Sequence, residues 1–183
     1  IMNKQYIEII QKDKEIIIGT QSNKDDIRKI LLSLGHDIDI ILDLHNVIDM
    51  YDVKHKLLSD DIRNDYKICA LSYVGKSKCD DARKELIDRI NNGQIDVAIM
   101  VYKRGRDKEK NIFVSYGSKA WTIKYLHTAS YKKQIFVDDG LDHINSVKNM
   151  LTLLPKYKNQ LSTIHVENPE IINLPLILLN WIN

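Results

Sequence analysis

Five short apolar runs set the limits on what this chain can fold into. DIDIILDL (37–44), YKICALS (66–72), DVAIMVY (96–102), KQIFVDD (133–139) and STIHVEN (162–168) each read as a buried strand. Segments of helical period lie between them. SNKDDIRKILLSLG (22–35) sets Ile27, Ile30, Leu31 and Leu34 on one stripe, with Ser22 or Asn23 placed to cap it and Gly35 placed to stop it. SKCDDARKELIDRINNG (77–93) presents Ala82, Leu86, Ile87 and Ile90 on one face, with Gly93 beyond its end. SKAWTIKYLHTAS (118–130), GLDHINSVKNML (140–151) and a terminal helix in INLPLILLNWI (172–182) complete the alternation. Strands alternating with helices predict an α/β fold: a Rossmann-like three-layer sandwich, with a mostly parallel central sheet covered by helices on both faces.

Three stretches read less sharply. YIEIIQKDKEIIIG (6–19) fits a hairpin turning at QKDK, or a helix followed by a strand. NIFVSYG (111–117) fits a strand or an extended loop. VIDMYDVKHKLLSDDIRND (47–65) is polar and irregular.

The 183 residues suit one domain with a full core. Residues 1–35 form an N-terminal extension, 36–150 the core, and 151–183 a C-terminal strand and helix. With 44% hydrophobic and 28% charged residues the chain is an ordinary globular protein, and seven Gly and three Pro argue against long linkers. A net charge of +2 does not by itself imply a polyanionic partner. Cys69 and Cys79 form no CxxC pair, so zinc is not expected. Cys69 lies in an apolar run and reads as a core residue. The expected setting is reducing and intracellular, in the cytoplasm. The first residues do not resemble a secretory leader. The longest apolar stretch, 172–182, contains Pro175 and is too short to span a bilayer, so no membrane partner is expected.

In parallel α/β sheets the ligand crevice lies outside the carboxyl ends of the strands. Four polar features fall at that edge: Asp43 after IIL, Ser72 after ICAL, Lys119 opening a helix, and the pair Asp138 and Asp139 after QIFV. Phosphoryl transfer to a carboxylate needs such a set. One aspartate attacks phosphorus, a hydroxyl and a lysine hold the transferring oxygens, and paired acids hold a hard divalent cation.

The order and spacing of ILDLHNV, CALS, GSKAW and FVDDGLD resemble the four motifs of the haloacid dehalogenase-like (HAD) phosphohydrolase superfamily, over roughly residues 36–150. The resemblance implies that Asp43 is the nucleophile and a Mg²⁺ ligand. It implies that Ser72 and Lys119 bind phosphate, and that Asp138 contacts Mg²⁺ with Asp139 beside it or acting through water. Asp142 would support the metal or only cap its helix. Lys124 is a rival to Lys119, one turn deeper in the helix.

One position departs from the pattern. Where relatives carry a second aspartate, two residues after the nucleophile, this chain has His45. The family position gives the metal a backbone carbonyl, which His45 retains. Its imidazole, titrating near neutrality, is a candidate general acid and base. Asn46 stands where glycine is frequent, tolerates turn conformations, and is a candidate substrate contact. The competing reading is a weakened site that binds phosphate or metal and turns nothing over.

No large cap domain fits between the motifs, which implies an open site suited to a bulky phosphorylated substrate, a phosphoprotein or a nucleic-acid end. Lys103, Arg104 and Arg106 could steer such a polymer. Asp107 and Glu109 dilute their charge, and few aromatics accompany them, so nucleic acid is weakly supported and a solvated loop is the simpler reading. Asp49 and Asp52 could approach the site from the turn after Asp43. His55, His127, His143 and His165 read as surface or structural, and Trp121 and Trp181 as core anchors.

Overall fold

The computed structural model of the chain describes residues 6–12, 17–20, 24–103, 119–126 and 133–183. Seven strands form one sheet: β1 (Tyr6–Gln11), β2 (Ile17–Thr20), β3 (Ile40–Leu42), β4 (Ile68–Gly75), β5 (Val97–Lys103), β6 (Gln134–Asp138) and β7 (Leu161–His165). Their spatial order is β2-β1-β5-β4-β3-β6-β7. The five strands from β3 to β7 pair in parallel, and β1 pairs antiparallel with both β2 and β5. The helices are α1 (Lys24–Ser33), α2 (Asp60–Arg63), α3 (Cys79–Asn91), α4 (Lys119–Leu126), α5 (Leu141–Leu153), α6 (Pro155–Lys158) and α7 (Leu174–Ile182).

The apolar runs are continuous because the sheet is covered on both faces. On one face Ile40, Leu42, Ala70, Met100 and Val137 pack with Leu86 and Ile90 of α3 and Leu174 and Leu178 of α7. On the other, Ile41, Cys69, Leu71 and Phe136 pack with Leu31 of α1, Ile123 of α4 and Val147 of α5. Each fully buried side chain of this size stabilises the fold by about 1.5–3 kcal/mol.

The predicted helix over 77–93 ends as α3 through Gly93. Its φ of 78° lets its amide reach the Ile90 carbonyl, and the Gln94 amide reach Arg89, closing the last turn. The terminal helix is packed on the core as expected. Pro175 sits in its first turn, and the Asn173 side chain accepts the Leu176 amide at 3.2 Å.

The N-terminal ambiguity resolves as a hairpin, and β1 extends the sheet beyond β5. Glu8 is drawn into this junction because Arg83 of α3 grips both its carboxylate oxygens at 2.7 Å while Tyr102 donates to it. The stretch after β3 is less irregular than its polarity implies: Val47, Ile48, Leu57 and Leu58 are buried, and it contains a 3₁₀ turn (Ile48–Met50) and α2. The expectations for 111–117, for the caps at Ser22 and Asn23, and for His127 lie outside the described residues. Among the described residues no helix is long and apolar enough to cross a membrane.

Candidate functional site

From β3 the chain moves outward through β4 and β5, then crosses back to place β6 and β7 on the other side of β3. The two crossovers diverge between β3 and β6, which opens a crevice outside their carboxyl ends. Leu42 lies beside Val137 in the register, so Asp43 and Asp138 emerge side by side at that point. The Asp43 amide donates to the Val137 carbonyl at 3.0 Å, fixing the offset.

Side chains alternate across a strand. Asp43 follows Ile41 and Asp138 follows Phe136, so both carboxyls project to the face covered by α4 and α5. Lys119, the first residue of α4, meets them there. Its Nζ donates to Asp43 Oδ1 at 2.7 Å and to Asp138 Oδ2 at 2.6 Å. Lys119 is 1% exposed and Asp138 0%. Backbone amides complete the setting: Leu44 donates to Asp43 Oδ1 at 2.9 Å and Gly140 to Asp138 Oδ1 at 2.8 Å.

Asp139 is held from two sides. The Asn46 side-chain amide donates to its Oδ2 at 2.8 Å, and the His165 ring lies 3.1 Å from its carbonyl. Asn46 reaches it from a left-handed conformation, φ 60°, which asparagine tolerates better than most residues. The expectation that Asn46 tolerates the turn fits this geometry. Its amide is engaged by Asp139, however, so in this arrangement it braces an acid rather than facing substrate.

Asp43, Asp138 and Asp139 each offer an oxygen, and these atoms lie within 4.8 Å of one another. Three carboxylates against one lysine leave the cluster with excess negative charge. The Asp43 carboxyl is pushed up to about 8, first by burial. Lys119 opposes the rise, and the charge of Asp138 and a hydrogen bond with Asp139 add to it. Asp139 moves the other way: burial raises it, but the hydrogen bonds from Asp43, Asn46 and Asp138 outweigh burial and hold it below the usual carboxylate range. Ionised Asp43 is thus costly in this setting. Three hard oxygen donors in this space fit a hard divalent cation, whose charge would offset that cost.

Ser72 lines the same cavity, of about 600 Å³, together with Asp43, His45, Lys119 and Asp139. Asp43, Lys119, Asp138 and Asp139 thus meet, and Ser72 borders their cavity from β4, where the pleat directs it to the face of Ala70. His45 borders the cavity with its ring largely exposed. The side chain is 80% exposed, with Nδ1 3.2 Å from Asp49 Oδ2. Asp49 also accepts the Asn46 amide at 2.7 Å, so it organises the turn after β3; it lines the cavity, as expected, while lying outside the carboxylate cluster. Asp52 accepts the Lys54 amide at 2.8 Å in that same loop. Asp142 is exposed in the first turn of α5. Lys124 lines a different cavity, between α4 and α5. Arg104, Arg106 and the side chain of Lys103 lie outside the described residues.

Tyr73 and His143 also line the cavity, a placement the sequence pattern does not indicate. β4 runs to Gly75, past the expected strand end at Ser72, and so carries Tyr73 up the cavity wall. His143, which reads from the sequence as surface or structural, stands three residues after Gly140 in the first turn of the helix that follows the acidic pair, and that position is its signal.

No family model, curated protein or solved structure matches the chain.

Proposed function

We propose that the chain is a divalent-cation-dependent phosphohydrolase of the HAD-like type, hydrolysing phosphomonoesters through an aspartyl-phosphate on Asp43, with Mg²⁺ as the cation. The observation that carries this reading is the meeting of Asp43, Asp138, Asp139 and Lys119 at the switch point of the sheet. Bland explanations serve each group separately, yet none explains two buried acids on one buried lysine, with a third acid beside them, at the edge of a large cavity.

In the proposed reaction a carboxylate oxygen of Asp43 attacks phosphorus. The bond from phosphorus to the ester oxygen breaks, and its electron pair leaves on that oxygen, which takes up a proton. Water then attacks phosphorus, loses a proton, and frees the Asp43 carboxylate and inorganic phosphate. Lys119 has three N–H donors. Two serve Asp43 and Asp138, and the third is available to a phosphoryl oxygen. Ser72, which borders the cavity, is the proposed holder of another. A divalent cation among Asp43, Asp138 and Asp139 would supply the charge that keeps Asp43 ionised and offsets that of the phosphoryl group.

The segment between β3 and β4 is short and partly folded into the core, which favours a site without a large cap and a bulky or macromolecular phosphorylated substrate. Turnover of a generic aryl phosphate, dependent on Mg²⁺ and lost in Asp43→Asn, tests the reading. A second reading, a phosphate-binding or scaffold protein on the same frame, draws on the exposed ring of His45. Mg²⁺ binding without turnover would favour it.

A further inference from the structure

We propose that the pocket takes aryl phosphomonoesters, in which the leaving oxygen is carried by a planar ring, and that Tyr73 and His143 form the wall against which that ring packs. The inference rests on the phosphohydrolase reading and narrows its substrate class.

The register places the wall. Leu42 pairs with Ala70, so Asp43 stands beside Leu71. Leu71 and Tyr73 share a face of β4, the one toward which Asp43 projects. Tyr73 is therefore one pleat repeat beyond the nucleophile, about 6.6 Å further up the same side. That is close to the width of a substituted ring plus its phosphate oxygen.

His143 makes the wall rigid. Its ring meets that of Tyr73 edge to face, with centroids 5.4 Å apart and planes at 88°. Such pairs contribute about 0.5–1.5 kcal/mol beyond their burial. The imidazole fills space that only glycine leaves open at position 140: a Cβ there would lie 2.8 Å from His143 Cδ2 and 3.2 Å from Asp138 Oδ1. Gly140 thus connects the wall to the carboxylate cluster. Both rings border the cavity that holds Asp43, Ser72 and Lys119, within the size range of small-molecule sites.

The exposure of His45 points the same way by a separate route. With its ring 80% exposed and Nδ1 at 3.2 Å from Asp49, His45 is not packed in place to protonate a leaving oxygen. An aliphatic alkoxide leaves poorly without a proton donor. A phenolate, whose parent acid has a pKa near 10, depends on one far less. An aromatic wall and weak proton assistance both favour an aryl ester.

The test uses the full chain with Mg²⁺ and four esters: phenyl phosphate, glycerol phosphate, and matched phosphotyrosyl and phosphoseryl peptides. Aryl esters are intrinsically more reactive, so the deciding quantity is how the aryl-to-alkyl ratio of kcat/KM changes on mutation. The ratio is expected to fall at least tenfold in Tyr73→Leu and several-fold in His143→Ala, and to survive in Tyr73→Phe. A ratio unmoved by both wall substitutions overturns the proposal. Phenyl phosphate matching the phosphotyrosyl peptide would assign a free aryl phosphate, and a faster peptide a protein-borne one. Calorimetric binding of phenylphosphonate against methylphosphonate, with Mg²⁺, gives a readout without turnover. At least tenfold tighter phenylphosphonate, lost in Tyr73→Leu, supports the wall, and equal affinities reject it. Selective binding without hydrolysis of any ester would refute the phosphohydrolase reading alone, whereas hydrolysis with an unmoved ratio would refute the wall alone.

Discussion

The two ends of the parallel sheet use the same side chain in opposite ways. At the amino end Asp96 is matched group for group. Arg63 donates to both its oxygens at 2.8 and 2.9 Å, and the Ile68 amide adds a third bond at 2.7 Å. Asp39, nearby, accepts the Lys67 amide at 2.8 Å. At the carboxyl end three acids gather beside one lysine, which bonds only Asp43 and Asp138. A paired carboxylate is a staple that joins α2 to β4 and β5. An acid cluster short of positive charge is a site that stores electrostatic cost until a cation or anion-bearing ligand changes its balance.

The strongest way to break this comparison is Asp43→Asn. Turnover is expected to fall by at least about 10³-fold, while the melting temperature without metal stays level or rises, since one buried acid has been neutralised. Retained phosphatase activity, or a cooperative loss of folding, would contradict it. Next in size, Mg²⁺ is expected to stabilise the wild-type chain by about 2.7 kcal/mol at a hundredfold excess over its dissociation constant. Asp138→Asn should lose most of that gain, and differential scanning calorimetry with and without chelator reads both. At the other end Asp96→Ala strands Arg63, and is expected to cost about 2–3 kcal/mol in urea melts with no dependence on Mg²⁺. A metal-dependent effect there would erase the distinction between the two ends.

A smaller prediction concerns pH at the amino end. Burial, with a minor contribution from Lys67, lowers His36 below its ordinary value of 6.5, and Asp96 only partly opposes this. The unfolded chain therefore binds the proton first. The stability His36 contributes is complete above about 6.5 and declines as pH falls below it toward the folded value. Urea midpoints should drop through that window in the wild-type chain and drop less in His36→Gln. Gly140→Ala is expected to be the mildest for folding, a change in melting temperature of a few degrees. It should nonetheless displace the His143 ring, seen as altered ring resonances by NMR.

The parts of this protein that were legible in the sequence share a cause. An apolar run that ends on an acid marks a strand end within one stretch of chain, so Asp43, Asp138 and Asp139 could be named and their edge of the sheet inferred. Gly35, Gly93 and the stripe of α3 likewise depend on neighbours three or four residues away. The hairpin stayed ambiguous because two short apolar runs fit either a strand pair or a helix and a strand. It is settled by β5, distant in sequence, which pairs with the edge of β1 that β2 leaves open. The burial of Leu57 and Leu58 was hidden by the polar residues around them, since it depends on packing against a face of the sheet assembled from distant segments.

The sequence by itself determined the alternation of strands and helices, and hence which residues stand at the carboxyl edge, because pleat and helical periods are local properties of the chain. Only the tertiary structure decided strand order and register. Those in turn decided that Lys119 is buried between two acids, that the His45 ring meets Asp49, and that Tyr73 and His143 pack edge to face at the cavity wall. Such relations depend on the relative placement of distant segments, which the packing of the whole core fixes and no local pattern encodes.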